Sequence, residues 1–183
     1  MRANGRSWWE QPKSLHDGQI DRGRHNVPAK LNWPADRTVR TASGFEFRLG
    51  EDEKPNGAFV GLFRETQPKL TVPLVGRASM VALLTVLSTN PNQDWMEAAH
   101  VTVRYADGGS ETLRLTPPDN CDDWLNYLQP RPDHLTGEHV MFGEWAHANV
   151  LAVKTDSKRE LKALELTCVA TETLCGLLAV TLY

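Results

Sequence analysis

The sequence predicts an all-β protein, a β-sandwich or jelly roll of about eight to ten antiparallel strands. Three observations favour this fold class. Several segments alternate apolar and polar residues with a period of two, turn-forming residues recur roughly every 8 to 12 positions, and almost no segment shows a helical period. A single chain with many hairpins closes its core by packing two sheets about 10 Å apart.

The clearest β-hairpin lies in the middle of the chain. In the run 99–105, the residues at 101, 103 and 105 are apolar or aromatic and those at 100, 102 and 104 are polar, which is typical of a half-buried strand. Asp107-Gly108 follows, and this pair is a strong hairpin signal because both residues tolerate the positive φ angles of tight turns. Leu113 and Leu115 resume the alternation, so we expect two antiparallel strands joined by a short turn.

The remaining strands are predicted from shorter patterns on either side of this hairpin. The run 79–87 is mostly apolar and bounded by turn residues, so we interpret it as a buried strand rather than a helix. Pro73 cannot donate a backbone hydrogen bond, which makes the run 70–74 an edge strand or a bulge. Further strands are expected in 36–50, 58–63, 147–153, 161–170 and 176–183, with a mostly irregular excursion in 116–145.

Two parts of the chain differ in regularity. Residues 1–35 are polar, rich in turn residues and without a period, and we expect an arm that packs on the domain, with Trp8 and Trp9 as a plug over one end of the sandwich. Residues 36–183 are expected to form one β-sandwich domain. The chain of 183 residues is long enough for a single domain with a full core.

Charge and hydropathy argue against two classes of partner. The chain has 20 Lys and Arg against 23 Asp and Glu, a formal net charge of -3, and no basic cluster of the kind that binds nucleic acid. The longest apolar run, 81–87, is too short to span a bilayer, so no membrane partner is expected. No apolar segment of a signal peptide follows Met1.

The chain has three cysteines, an odd number, so at least one is expected to be unpaired within the chain. Strand parity places Cys168 on the inner face with Leu164 and Leu166, whereas Cys175 falls out of phase with the apolar residues that follow it. We therefore favour free, buried thiols over a disulfide between Cys168 and Cys175. No Cys-x-x-Cys motif is present, which argues against a zinc site.

The loops carry the residue types of a carbohydrate site. A sugar ring packs its C–H face on an aromatic ring, and its hydroxyl groups need donors and acceptors nearby. The predicted contacts are the rings of Trp95, Trp124, Tyr127 and Trp145, with polar groups from Asp122, Asp123, Asn126, Arg131 and His134. The alternative interpretation is that the tryptophans cap the edges of the core.

A second candidate is a structural calcium site in the loop after the hairpin. Asp119, Asn120, Asp122 and Asp123 crowd oxygen-bearing side chains into a few positions, and calcium prefers oxygen ligands. Their spacing is not that of a regular calcium loop, so a solvated acidic loop is the alternative. No cofactor is expected to be required, and no catalytic residue is assigned.

One ordered set of segments resembles a known family. The hairpin 103–115 and the loop 120–124 follow a Val-x-Tyr-x-Asp-Gly hairpin and an Asn-x-x-Asp-Trp loop, with related segments upstream at 45–47 and 70–78. Over residues 43–126 the chain resembles galactose-binding-like jelly-roll modules attached to bacterial polysaccharide-degrading enzymes. The resemblance implies a role in a secreted or periplasmic enzyme, without a catalytic signature. The Trp- and His-rich excursion after Trp124 departs from the family pattern.

The sequence thus predicts a non-catalytic carbohydrate-binding module whose partner is a polysaccharide or oligosaccharide. Two alternatives stay open. The chain could be a structural accessory domain that braces a glycoside hydrolase or lyase catalytic domain of the same parent enzyme, through the arm 1–35. It could also be a small stand-alone β-sandwich lyase or hydrolase, for which Asp122 and Glu144 are the acids to test.

Overall fold

The computed structural model of the chain describes residues 2–3, 6–7, 33–51, 57–62, 66–88, 95–124, 137–142, 146–171 and 173–183. These residues form an all-β structure without a helix, which confirms the predicted fold class. In chain order, the strands are β1 (Arg2–Ala3), β2 (Arg6–Ser7), β3 (Thr38–Arg40), β4 (Glu46–Arg48), β5 (Ala58–Gly61), β6 (Lys69–Pro73), β7 (Met80–Ser88), β8 (Ala99–Tyr105), β9 (Ser110–Leu115), β10 (Glu138–Met141), β11 (His147–Lys154), β12 (Leu161–Cys168) and β13 (Leu174–Leu182).

Two large sheets carry the fold. One has five strands in the order β10-β11-β7-β13-β5, and the other has four in the order β6-β12-β8-β9. All neighbours within these sheets are antiparallel, and the small pairs β1–β2 and β3–β4 complete the described strands. The predicted sandwich of antiparallel strands is confirmed, with β7 at the centre of the larger sheet.

The five-stranded sheet is covered on both faces. Alternate residues of β7, including Leu83, pack toward Leu164 in what we call the inter-sheet core, the apolar cluster between the two large sheets. The residues between them, including Leu84, pack toward Phe47 in the outer core, a second apolar cluster on the opposite face. This double burial explains why the run 81–87 is apolar without alternation. The four-stranded sheet, in contrast, has one solvent-facing side that we call the open face.

The central hairpin forms as predicted, and Pro73 lies where the sequence places it. Strands β8 and β9 are joined by the turn 106–109, in which Gly108 has a φ of 95°. The backbone N–H of Tyr105 donates to Gly109 O over 2.9 Å and closes the turn. Strand β6, which ends at Pro73, is an edge of the four-stranded sheet, so the prediction of an edge strand is confirmed.

All three cysteines are free and buried in the inter-sheet core, which confirms the preference for unpaired thiols. Cys168 lies on the inner face with its strand neighbours, as predicted. Cys175 is out of phase with Leu178, which faces the outer core, but the prediction that it is also out of phase with Val180 and Leu182 is wrong for a physical reason. A register shift between Leu177 and Ala179 of β13 reverses the alternation, so Cys175 and Val180 face the same core although their spacing is odd.

The residues that precede β3 pack on the outer core. Trp33 stacks on Phe142 with a ring centroid separation of 4.5 Å. Hydrogen bonds from the backbone N–H groups of Ala42 and Ser43 to the Glu138 carboxylate attach the β3–β4 turn to β10. The predicted plug of Trp8 and Trp9 lies outside the described residues.

Gly176 of β13 occupies a position where a side chain has no room. A Cβ there would clash with the Phe59 ring and lie 2.8 Å from Val86 Cγ2. We expect Gly176→Ala to lower the free energy of unfolding by about 1–3 kcal/mol, because the well-packed outer core must shift to admit a methyl group. Denaturant unfolding measures this loss. Gly57→Ala is the matched control, since its nearest contact would be the Leu178 side chain at 3.3 Å; an equal loss in both variants would contradict the expectation.

Candidate functional site

Trp95 presents the most exposed aromatic ring among the described tryptophans, with 63% of the residue accessible to solvent. Its backbone has a φ of 63°, a region that L-residues with large side chains rarely adopt. The backbone N–H donates to Pro117 O over 2.5 Å, so the residue is attached to the segment that follows β9. A strained backbone that displays a large apolar ring is typical of a binding position.

Three charged or ionisable side chains lie at the same end of β8 and β9. Glu97 Oε1 accepts from Arg114 Nη1 over 2.6 Å, and Glu97 Oε2 lies 2.8 Å from His100 Nε2. The hydrogen bond with His100 and the Arg114 charge hold the pKa of Glu97 below its ordinary value, so the carboxylate stays ionised. We call Trp95, Glu97, His100 and Arg114 the Trp95 surface.

The open face continues the polar character of the Trp95 surface along β8. Thr102 and Thr112 hydrogen-bond across the hairpin over 3.1 Å. Beyond them, the Glu165 carboxylate accepts from Arg104 at 2.8 Å and from Lys69 at 2.7 Å. These two contacts lower the pKa of Glu165. The face therefore offers ionic and hydroxyl groups in fixed orientations.

Trp124 does not present its ring to solvent, and its predicted role as a ligand contact is wrong. The residue is 1% exposed and belongs to the outer core. Its backbone N–H donates to Leu87 O over 2.7 Å, and its carbonyl accepts from His147 N over 2.9 Å. Trp124 thus bridges the ends of β7 and β11, and its ring fills the space below them. The alternative interpretation, that this tryptophan caps the core edge, is the one the structure supports.

Asp122 is also buried, with 6% of the residue exposed. The prediction that its side chain faces solvent and hydrogen-bonds sugar hydroxyl groups is therefore corrected. Its backbone N–H donates to Asn149 Oδ1 over 2.9 Å, and its carbonyl accepts from Asn149 Nδ2 over 3.0 Å. The amide of Asn149 thereby holds the segment 121–124 to β11. Asp123 is half-buried, and its backbone N–H donates to Asp122 Oδ1.

The four predicted calcium ligands do not come together as a ligand set. Within the part of the chain that the structure describes, no three His, Cys, Asp or Glu side chains are grouped so that they could hold a metal ion. Asn120 uses its amide to order the turn, since Oδ1 accepts from Thr116 N over 2.9 Å and Nδ2 donates to Arg114 O over 2.7 Å. Asp119 is exposed on that turn, whereas Asp122 is buried below it.

The other predicted ligand contacts lie outside the described residues, and the structure neither joins them to the Trp95 surface nor separates them from it. They are Tyr127, Asn126, Arg131, His134 and Trp145.

Two histidines, the half-buried His139 and the buried His147, form a pair at the edge of the five-stranded sheet. His139 of β10 and His147 of β11 approach edge to face, with a ring centroid separation of 4.6 Å and an interplanar angle of 89°. The Nε2 atoms of both are buried and have no hydrogen-bond partner among the described residues. Burial lowers the pKa of both rings, and for His147, which also faces His139, the value falls to about 3.

Sequence reasoning missed Glu97, His100 and Arg114 as members of the site. A usable signal was present, because the alternation in 99–105 already turns His100 outward. Counting residues outward from the Asp107-Gly108 turn also pairs His100 with Arg114, and the β8–β9 register has this pair. Most of the predicted ligand contacts were taken from the aromatic-rich excursion 116–145, and the charged residues at the strand end beside Trp95 were not considered.

Among the described residues, no helix is long and apolar enough to cross a membrane. Comparison of the chain with protein-family models, with curated proteins and with solved structures finds no match.

Proposed function

We propose that the chain is a non-catalytic carbohydrate-binding module that holds a glycan on the Trp95 surface. The observation that carries the proposal is the Trp95 ring, which is exposed on a backbone that its own N–H hydrogen-bonds to Pro117 O. A tryptophan side chain has only two rotatable bonds, so its ring offers a large apolar area at a low entropic cost. The sequence resemblance to modules of polysaccharide-degrading enzymes supports the same function.

The polar part of the Trp95 surface complements a sugar. Arg114 is largely exposed, and its guanidinium has donors beyond the one that Glu97 accepts. The Glu97 carboxylate and His100 add acceptor and donor groups two to five positions from Trp95 in the chain. Donors and acceptors of this kind beside an aromatic ring match the alternating C–H faces and hydroxyl groups of a pyranose. We expect weak affinity, about 4 to 8 kcal/mol of binding free energy, which corresponds to micromolar to millimolar dissociation constants.

Trp95→Ala is expected to abolish glycan binding while the free energy of unfolding changes by less than about 0.5 kcal/mol, because the exposed ring contributes little to the core. Affinity electrophoresis of the purified chain on plant, algal and bacterial polysaccharides, with and without a calcium chelator, identifies the glycan class. The same gels with the variant then measure the loss. Retardation that persists in Trp95→Ala would contradict the assignment of the ring.

Two further variants sharpen the test. Val75→Ala removes an apolar residue that is 85% exposed at the opposite end of the strands, so it should bind like the wild type. Arg114→Ala should weaken binding while the Trp95 ring stays in place. If wild-type chain binds no polysaccharide in the panel, the proposed function is wrong.

One observation favours a second candidate function, the bracing of a catalytic domain. Apolar residues beside Trp95 are also exposed: Met96 precedes Glu97, and Val169 donates its backbone N–H to Ala98 O over 3.1 Å. Contiguous exposed apolar area often marks a protein interface. Chain that self-associates with rising concentration and binds no glycan would favour this role, and Val169→Asp should then reduce the association.

A further inference from the structure

The His139–His147 pair lies where two peripheral segments join the five-stranded sheet. Strand β10 is an edge strand with four residues, and β11 is its sheet partner among the described strands. His139 is paired with Asn149 in the β10–β11 register, two positions from the Met141–His147 pair, so the two rings are diagonal neighbours on one face. Asn149 also binds the backbone of Asp122, which places the segment 121–124 beside the same pair.

Burial favours the neutral form of both rings in this position. His147 is 3% exposed, and neither Nε2 atom has a partner among the described residues to stabilise a proton there. A charge on one ring would face the other ring 4.6 Å away, so two protonated rings would repel each other. Burial of an unpaired charge is costly, and the cost is removed when the ring reaches water.

The charged groups around the pair do not remove this cost. Asp122 favours protonation of His139, and the hydrogen bond with Asn149 and the Glu138 charge act in the same direction. Burial outweighs all three, so the pKa of His139 is still lowered. The Glu138 carboxylate already accepts hydrogen bonds from the turn at Ala42 and Ser43. From β7 the facing residue is the neutral Thr85, which is paired with Asn149. On β9, which packs near β11, the apolar Leu113 faces inward and Glu111 is exposed.

We propose that the His139–His147 pair is a pH-sensitive contact: in mildly acidic solution, protonation of the imidazoles releases β10 and the segment 121–124 from the sheet edge while the remainder of the sandwich stays folded. The release is local because the pair lies at an edge, whereas β8, β12 and β13 are joined on both sides. The contact would operate with or without a glycan on the Trp95 surface.

The direction of the pH dependence follows from the lowered pKa of His147. Its value in the folded protein is about 3, against 6.5 for an exposed histidine. The closed form is therefore fully stabilised above pH 6.5 and loses this stabilisation as the pH falls below 6.5 toward the folded-state value. Between pH 7 and pH 5, protonation of His147 alone raises the ratio of open to closed molecules roughly 25-fold.

Hydrogen exchange of the full chain tests the proposal at three amides whose hydrogen bonds hold the segment 121–124. These are Asp122 N to Asn149 Oδ1, Trp124 N to Leu87 O and His147 N to Trp124 O. After correction for the intrinsic exchange rate, we expect their opening constants to rise roughly 25-fold from pH 7 to pH 5. Amides of β8 and β12 should change less than threefold over the same interval, about a tenth of that effect.

Variants separate the pair from general acid effects. His147→Leu should remove most of the pH dependence, because protonation of His147 alone accounts for the expected change, whereas the matched control His100→Ala, a surface histidine on the open face, should keep it. Side-chain NMR titration of the wild type gives a readout that needs no variant, since the His147 ring should stay neutral in the closed form at pH 6. Equal rises in β8 and β12, an unchanged opening constant at pH 5, or a His147 ring that titrates normally without opening would each overturn the proposal.

Discussion

Trp124→Ala is expected to lower the free energy of unfolding by about 3–5 kcal/mol, the range for removing a fully buried aromatic side chain from a core. The ring is 1% exposed and packs in the outer core with Phe142 and Phe47. The loss also loosens the backbone bridge that Trp124 makes between Leu87 O and His147 N. A marginally stable domain of this size can lose a large part of its stability in one such substitution.

Urea unfolding followed by circular dichroism measures this effect. Trp124→Phe is the conservative comparison and should retain part of the stability, because a smaller ring still fills some of the space. A Trp124→Ala variant that melts within about 1 °C of the wild type would contradict the core assignment and would return this ring to the list of ligand contacts.

Asn149→Ala is expected to cost about 2–6 kcal/mol of stability for a different reason, the loss of hydrogen-bond partners. Asn149 is fully buried and satisfies both the N–H and the carbonyl of Asp122. Without the amide, two backbone groups inside the protein lose their partners at about 1–3 kcal/mol each. The segment 121–124 would then be attached chiefly through Trp124.

Thr85→Val is the matched control for Asn149→Ala. Thr85 lies on β7, where it is paired with Asn149 of β11, and it is similarly buried. Its hydroxyl group donates a long hydrogen bond of 3.5 Å to Asn149 O. Its isosteric replacement should cost less than about 1 kcal/mol, since a bond of that length contributes little. Chemical denaturation measures the free energy of unfolding of both variants. Equal losses would contradict the expectation, because they would mean that the hydrogen bonds of the Asn149 amide are no more important than the Thr85 hydroxyl group.

The strands were predictable because their signals are local. The alternation in 99–105, the Asp107-Gly108 turn and the position of Pro73 each act through a few neighbouring residues, and each was confirmed. The inner face of Cys168 was also predictable from strand parity. The inward position of Cys175 was not, because the register shift in β13 has no signature in the pattern of apolar residues.

The candidate site was less predictable because burial in loops depends on where the chain crosses the sheets. Trp95 and Trp124 have similar sequence surroundings, with acids and amides on either side. One ring is exposed beside β8, and the other fills the outer core because its segment passes the ends of β7 and β11. Likewise, the pairing of Glu97 with Arg114 required the hairpin register in three dimensions.

The reactivity of the three buried thiols reports on unfolding of the chain. Burial raises the pKa of Cys168 to about 11 and raises that of Cys121 and Cys175 further, so a thiol reagent at neutral pH finds almost no thiolate in the native protein. Cys121 belongs to the segment that crosses the sheet edge, whereas the other two lie on β12 and β13. The order in which the three sulfurs are alkylated therefore distinguishes partial opening at the edge from complete unfolding, without any label introduced into the protein.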